Sequence, residues 1–116
     1  MRKKVLFVED QARFHDSWKA ALNGPVDIFT AVSILEAEEA LTTHPDIAVI
    51  VMDAQLPEYT GSLVVRIRMQ RNFSGHMIAA SGNELLRRAL VRAGCNHECE
   101  KDHVPNKVRE ILELQA

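Results

Sequence analysis

The sequence predicts an α/β domain: a doubly wound parallel sheet of five strands flanked by five helices in three layers. Three observations carry this. Short apolar runs alternate with amphipathic stretches along all 116 residues, the order that successive βα units produce. The longest unbroken apolar run, Ile47 to Met52, lies mid-chain, as expected of a central strand covered on both faces. No internal repeat, low-complexity tract or linker interrupts the alternation, so residues 1–116 read as a single domain.

Val5 to Val8 is the first buried strand, and Glu9-Asp10 closes it. The helix that follows carries Phe14, Trp18, Ala21 and Leu22 on its inner face at 3.6-residue spacing and stops at Asn23-Gly24-Pro25. Val26 to Ala31 alternates as a partly exposed edge strand does. Ser33 and Glu36 then form a capping box that opens a helix running to about His44, before Pro45. The central strand ends on Asp53. Beyond a turn at Pro57 and Gly61, Leu63, Val64 and Ile67 mark a third helix and Met77 to Ala80 a fourth strand. Leu85, Leu86, Ala89, Leu90 and Ala93 give a fourth helix stopped by Gly94. Asn96 to Lys101 is a fifth, unusually polar strand, and Pro105 starts a last helix with Val108, Ile111 and Leu112 on one side.

Composition excludes several functions. Fourteen Lys and Arg against sixteen Asp and Glu leave a formal charge of -2, and aromatics are 5%. Neither a phosphate-backbone footprint nor a base-stacking platform follows, so no direct nucleic-acid binding is expected. No segment approaches the roughly 20 apolar residues of a membrane helix. The basic start and the four-residue apolar run after it are too short for a signal peptide. Two cysteines, Cys95 and Cys99, in a self-stabilising domain point to a reducing, cytoplasmic setting.

In open α/β sheets the working groups gather beyond the carboxyl ends of the strands. Here those ends carry Glu9-Asp10, Asp53, Ser81-Gly82 and Lys101. Taken singly, Asp10 could be a helix cap, Ser81 a turn residue and Lys101 a solvated end. Together, three carboxylates at one edge repel one another unless a hard cation and an ammonium offset them. Mg²⁺ with Lys101 answers that need, and with a hydroxyl alongside the set suits an incoming anionic group.

These residues resemble the receiver domain of two-component response regulators, the chemotaxis-regulator-like family. The landmarks are Val5-Leu6-Phe7-Val8-Glu9-Asp10-Gln11, Val49 through Asp53-Ala54-Gln55-Leu56-Pro57 to Gly61, Ala79-Ala80-Ser81-Gly82, and Ala93-Gly94-Cys95 running to Lys101. The resemblance spans the chain and implies a flavodoxin-like sheet in the order 2-1-3-4-5. It also implies that Asp53 accepts a phosphoryl group from a histidine kinase or histidine phosphotransfer protein. Mg²⁺ would be held by Glu9, Asp10, Asp53 and the backbone carbonyl of Gln55, while Lys101 pairs with one phosphoryl oxygen and Ser81 hydrogen-bonds another. Gln55 and Asn83 would touch the hydrolytic water. Such a domain is a regulator rather than an enzyme, and its output passes to a downstream protein target or to an effector domain outside this chain.

Three departures from the family pattern stand out. Glu98 occupies the position of an aromatic switch, and Glu98 with Glu100 would form a like-charged strand face that disfavours edge pairing. Asp102 follows the lysine in place of a proline, so a trans bond is expected and the path of the lysine loop becomes open. The segment from Ser81 to Gly94 is short, which predicts a truncated or late fourth helix. Glu98 and the missing proline motivate the alternative of a phosphorylation-independent interaction module with the same fold. A magnesium-dependent phosphatase is disfavoured, because Gln11 and Ala12 follow Asp10 where such enzymes place an acid. Cys95, His97, Cys99 and His103 match no zinc spacing. His15, His44 and His76 read as surface or helix-end residues, and Arg66, Arg68, Arg71, Arg87, Arg88 and Arg92 as solvated helix faces.

Overall fold

A computed structural model describes residues 2–22, 24–56 and 60–114. Its elements alternate: β1 Lys3–Val8, α1 Ala12–Ala21, β2 Val26–Ala31, α2 Ile34–Thr43, β3 Ile47–Asp53, α3 Thr60–Met69, β4 His76–Ala80, α4 Glu84–Ala93, β5 His97–Cys99 and α5 Val104–Leu112, with a 3-10 turn at Lys101–His103. All strand pairs are parallel, in the order β2-β1-β3-β4-β5. The predicted architecture is therefore present.

Two apolar layers sandwich the sheet. Leu6, Val8, Ile50, Met52, Met77 and Ala79 point to one face and pack with Leu41, Leu63, Val64, Ile67 and Leu90. Val5, Phe7, Val49, Val51, Ile78 and Ala80 alternate to the other, against Trp18 and Leu22 of the α1 region and Val104 and Val108 of α5. Each fully buried aliphatic or aromatic side chain contributes roughly 1.5 to 3 kcal/mol relative to exposure. The central strands thus supply the rigid frame on which the strand-end residues sit.

Local differences from the sequence reading have identifiable causes. The buried face of the α1 segment is His15, Trp18 and Leu22, with Phe14 half-buried, whereas Ala21 is exposed. Leu85, assigned above to the inner face of α4, is 76% exposed, and Leu90 holds that helix to the core. At ten residues α4 matches α1, α2 and α3 and is not truncated. Gly61 lies inside α3 rather than in a turn. Pro57 and Asn23, and with them part of two predicted turns, fall outside the described residues. The α2 cap forms as Ser33 accepts from the Glu36 amide, but the Glu36 carboxylate reaches the Val32 amide, one residue short of the box.

The largest difference is at the right-hand edge. β5 is three residues long, not six, and Lys101 stands on the 3-10 turn. A strand persists only while a neighbour supplies rungs, and β4 ends at Ala80, leaving Ser81 N donating to Cys99 O as the last one. Glu98 and Glu100 consequently do not form a like-charged face. Glu98 pairs with Arg87 at 3.1 Å, and Glu100 lies past the strand near His103.

Arginines hold this edge together. Arg68 donates to the carbonyls of Gly94, Phe73 and Gly75, which are the connectors leading into β4 and β5. Arg87 donates to Ser81 O as well as to Glu98, Arg66 meets Glu38, Arg71 reaches Glu38 O and Thr42, and Arg88 pairs with Glu84. The expectation of merely solvated basic faces is corrected at Arg66, Arg68 and Arg87, which are half-buried, and holds at Arg71 and Arg88, which are exposed. Gly94 ends α4 at φ +145°, and a Cβ there would come within 2.8 Å of the Arg68 side chain.

Candidate functional site

Parallel pairing sets Val8 beside Met52, so the residues that follow, Glu9 just past β1 and Asp53 at the end of β3, lie together at the carboxyl edge of the sheet. Both are buried, Glu9 at 0% and Asp53 at 1% exposure, while Asp10 is exposed. One carboxylate oxygen from each of Glu9, Asp10 and Asp53 lies within 4.8 Å of the others. Asp10 does not cap α1, whose N-cap is Gln11.

Lys101 reaches this cluster despite leaving the strand. Its ammonium, on a side chain 13% exposed, stands 2.8 Å from Glu9 Oε1 and 3.3 Å from Asp53 Oδ1. It approaches Glu9 off the line of a hydrogen bond, and Glu9 Oε1 is a buried oxygen with no aligned donor. Backbone amides serve other oxygens: Gln11 N donates to Glu9 Oε2 and Gln55 N to Asp53 Oδ1. Burial pushes the Glu9 carboxyl up to about 7, against the pull of Lys101 and with the repulsion of Asp53 adding to it. An all-oxygen donor set, one of whose buried oxygens lacks a donor, fits a hard divalent cation.

Ser81 and Asn83 come from β4 and the loop after it. Ser81 is buried, its Oγ accepts from Asn83 N, and its carbonyl is held by Arg87. The register places Asp53 opposite Ala80, so Ser81 is the next residue on the strand beside the acid. The Asn83 amide oxygen caps α4 by accepting from Leu85 N and Leu86 N, which commits it to the helix. Gln55 is exposed beside Asp53. The structure therefore brings Glu9, Asp10, Asp53 and Lys101 together, sets Ser81 alongside, and ties Glu98 to the Ser81 loop through Arg87.

Three further residues belong to this region and were not singled out above as part of the site. His15 is buried rather than superficial, with Nε2 2.5 Å from Glu9 O. The Trp18 indole N–H donates to Lys101 O at 2.9 Å, and the Phe14 ring lies 4.6 Å beneath the Lys101 ammonium. The 15, 18, 22 spacing on α1 was available as a signal, but a polar residue on that stripe was read as surface. His76 is likewise half-buried, hydrogen-bonded to His97 at 3.0 Å, while His44 caps α2 against Phe29 as a helix-end residue should. The Lys101–Asp102 bond is trans.

No protein-family model matches the chain. Sequence relatives do. A chemotaxis protein CheY homolog of Campylobacter jejuni is 28% identical over 116 residues, covering 95% of this chain and 89% of that protein. Chemotaxis protein CheY1 of Helicobacter pylori is 29% identical over 117 residues, 96% of this chain and 94% of its own. The signal receiver domain of a Luxo repressor protein from Vibrio parahaemolyticus shares the fold at a TM-score of 0.78, with 24% identity and coverage of 97% and 92%. End-to-end likeness to the chemotaxis proteins, on a sheet of order 2-1-3-4-5, supports a receiver domain of two-component signalling.

Proposed function

We propose that the chain, acting as a single cytoplasmic domain over residues 1–116, is a phosphoacceptor switch whose Asp53 takes a phosphoryl group from a histidine kinase or histidine phosphotransfer protein. The observation that carries this is the buried Asp53 carboxylate held between the Lys101 ammonium and the Glu9 and Asp10 carboxylates. Asp53 attacks phosphorus with a carboxylate lone pair as the P–N bond to the donor imidazole breaks and its electrons return to the ring. Glu9, Asp10, Asp53 and the Gln55 carbonyl would hold Mg²⁺, which when bound neutralises charge on the phosphoryl oxygens.

The remaining steps belong to the chain's own groups. Lys101 swings its tip from Asp53 toward a phosphoryl oxygen, and the Ser81 hydroxyl turns from accepting the Asn83 amide to donating to another. Moving Ser81 tugs Arg87, whose other partner is Glu98, so the change reaches β5 through an ion pair rather than a ring. Gln55 and the amide nitrogen of Asn83 border the attacking water in dephosphorylation. The output is altered binding of a downstream protein or effector domain, with no direct role for nucleic acid or membrane insertion.

A small phosphodonor with Mg²⁺ should add one phosphoryl group to the wild type and none to Asp53→Asn, read by intact mass. Equal modification of both removes the assignment. Glu98 in place of an aromatic switch, with a trans bond from Lys101 to Asp102 in place of a proline, motivates a second reading, a phosphorylation-independent interaction module. Under that reading Asp53→Glu leaves partner binding unchanged and Mg²⁺ leaves Trp18 fluorescence unchanged.

A further inference from the structure

We propose that Phe14 and Trp18 on α1 are positioning residues that hold Lys101 at Asp53, a role that deepens the phosphoacceptor reading and rests on it. Lys101 comes from a 3-10 turn, an element with little hydrogen-bonded support of its own. Its backbone is pinned from outside instead: the Trp18 indole N–H, 83 residues away in sequence, donates to the Lys101 carbonyl at 2.9 Å. Trp18 is itself fixed, 1% exposed, edge-on to Phe7 of β1 with ring centroids 5.1 Å apart. The anchor for the lysine backbone thus traces to the same strand that leads into Glu9.

Phe14 governs the other end of the side chain. Its ring stands 4.6 Å from the ammonium and 5.6 Å from the Trp18 ring, so the two aromatics form one wall. On the far side the ammonium meets Glu9 and Asp53. A cleft of about 350 Å³, lined by Arg13, Phe14, Ser17, Trp18, Lys101 and Pro105, opens next to this wall and offers the lysine somewhere else to go. Charge attraction alone does not choose between Glu9 and Asp53, and it moves outward to the phosphoryl oxygens once Asp53 is modified. A fixed carbonyl with a ring under the ammonium keeps the stem in place while the tip changes partners.

The test pairs two measurements on the full chain. Lys101 reactivity to reductive methylation, read by peptide mass, should rise about threefold in Phe14→Leu and return to the wild-type value in Phe14→Tyr, which keeps a ring face. Trp18→Phe, which keeps the ring and loses the N–H, should raise it similarly. Phosphorylation by acetyl phosphate with Mg²⁺ should slow about threefold in Phe14→Leu and recover in Phe14→Tyr. Unchanged Lys101 reactivity in both Phe14→Leu and Trp18→Phe overturns the proposal, even where the variants melt earlier. Changed reactivity in a protein that takes no phosphoryl group on Asp53 upholds the positioning role and removes the phosphoacceptor reading.

Discussion

The left side of the sheet, β2-β1-β3, and its right side, β4-β5, are held together by different means. On the left, strands of six and seven residues pair through long registers between two apolar layers, and the acid cluster simply continues beyond Val8 and Met52. On the right, β5 contributes three residues, and arginine side chains bridge to carbonyls that no strand or helix satisfies. A side chain placed by register is fixed by what its neighbours in sequence are. One placed by a clasp depends on a residue elsewhere, so the β5 edge and its connectors answer to single side chains while β4 stays in register with Asp53.

The largest effect expected from breaking this contrast is at Arg68. Arg68→Ala strips donors from three connector carbonyls and should cost about 3 kcal/mol in urea unfolding. A loss under about 1 kcal/mol would mean that water replaces the clasp and the right side needs none.

On the left, Glu9→Gln should stabilise the metal-free protein by about 2 kcal/mol at pH 8, because it removes a buried charge whose carboxyl is pushed up to about 7. The sign follows from proton uptake: the folded state keeps the Glu9 proton above the pH at which the unfolded chain, near 4.5, has lost it. Stability of the wild type in EDTA should therefore fall as pH rises from about 4.5 to about 7, and Glu9→Gln should flatten that slope. Added Mg²⁺ should restore stability in the wild type more than in the variant.

Arg87→Ala should cost about 1 kcal/mol, and a double-mutant cycle with Glu98→Gln should show coupling between the two positions. Additivity would separate Glu98 from the Ser81 loop. The smallest effect belongs to Leu85→Ser, within about 0.5 kcal/mol, since that side chain is exposed. A larger loss would return Leu85 to the core face of α4.

The same contrast explains what the sequence could reveal. Apolar runs such as Ile47 to Met52 and the acids that end them were readable because period and position alone determine them. Asp53, Glu9 and Asp10 were accordingly legible as strand-end acids, while Lys101, read as the end of a strand, reaches them from a 3-10 turn. The length of β5 was not readable, since it depends on where β4 stops, and neither were the arginine clasps, whose partners are backbone carbonyls without a side-chain signature. His15 was missed because a polar residue on a helix stripe is uninformative until its acceptor, the Glu9 carbonyl, is known.

The close approach of Gly94 to Arg68 bears on how this chain can vary over descent. A side chain at 94 would be strained at φ +145° and would press on the residue whose guanidinium donates to three connector carbonyls. The two positions form a linked pair: a lineage that loses the arginine is released from the tightest steric demand on the glycine, though not from its backbone angle or from Val64, whose Cγ1 would stand 3.2 Å from a Cβ at 94. Among descendants of this sequence, Ala or Asn at 94 should turn up chiefly where 68 has become smaller, and a sequence alignment deep enough to score that covariation would read the right-hand edge of the sheet without a structure.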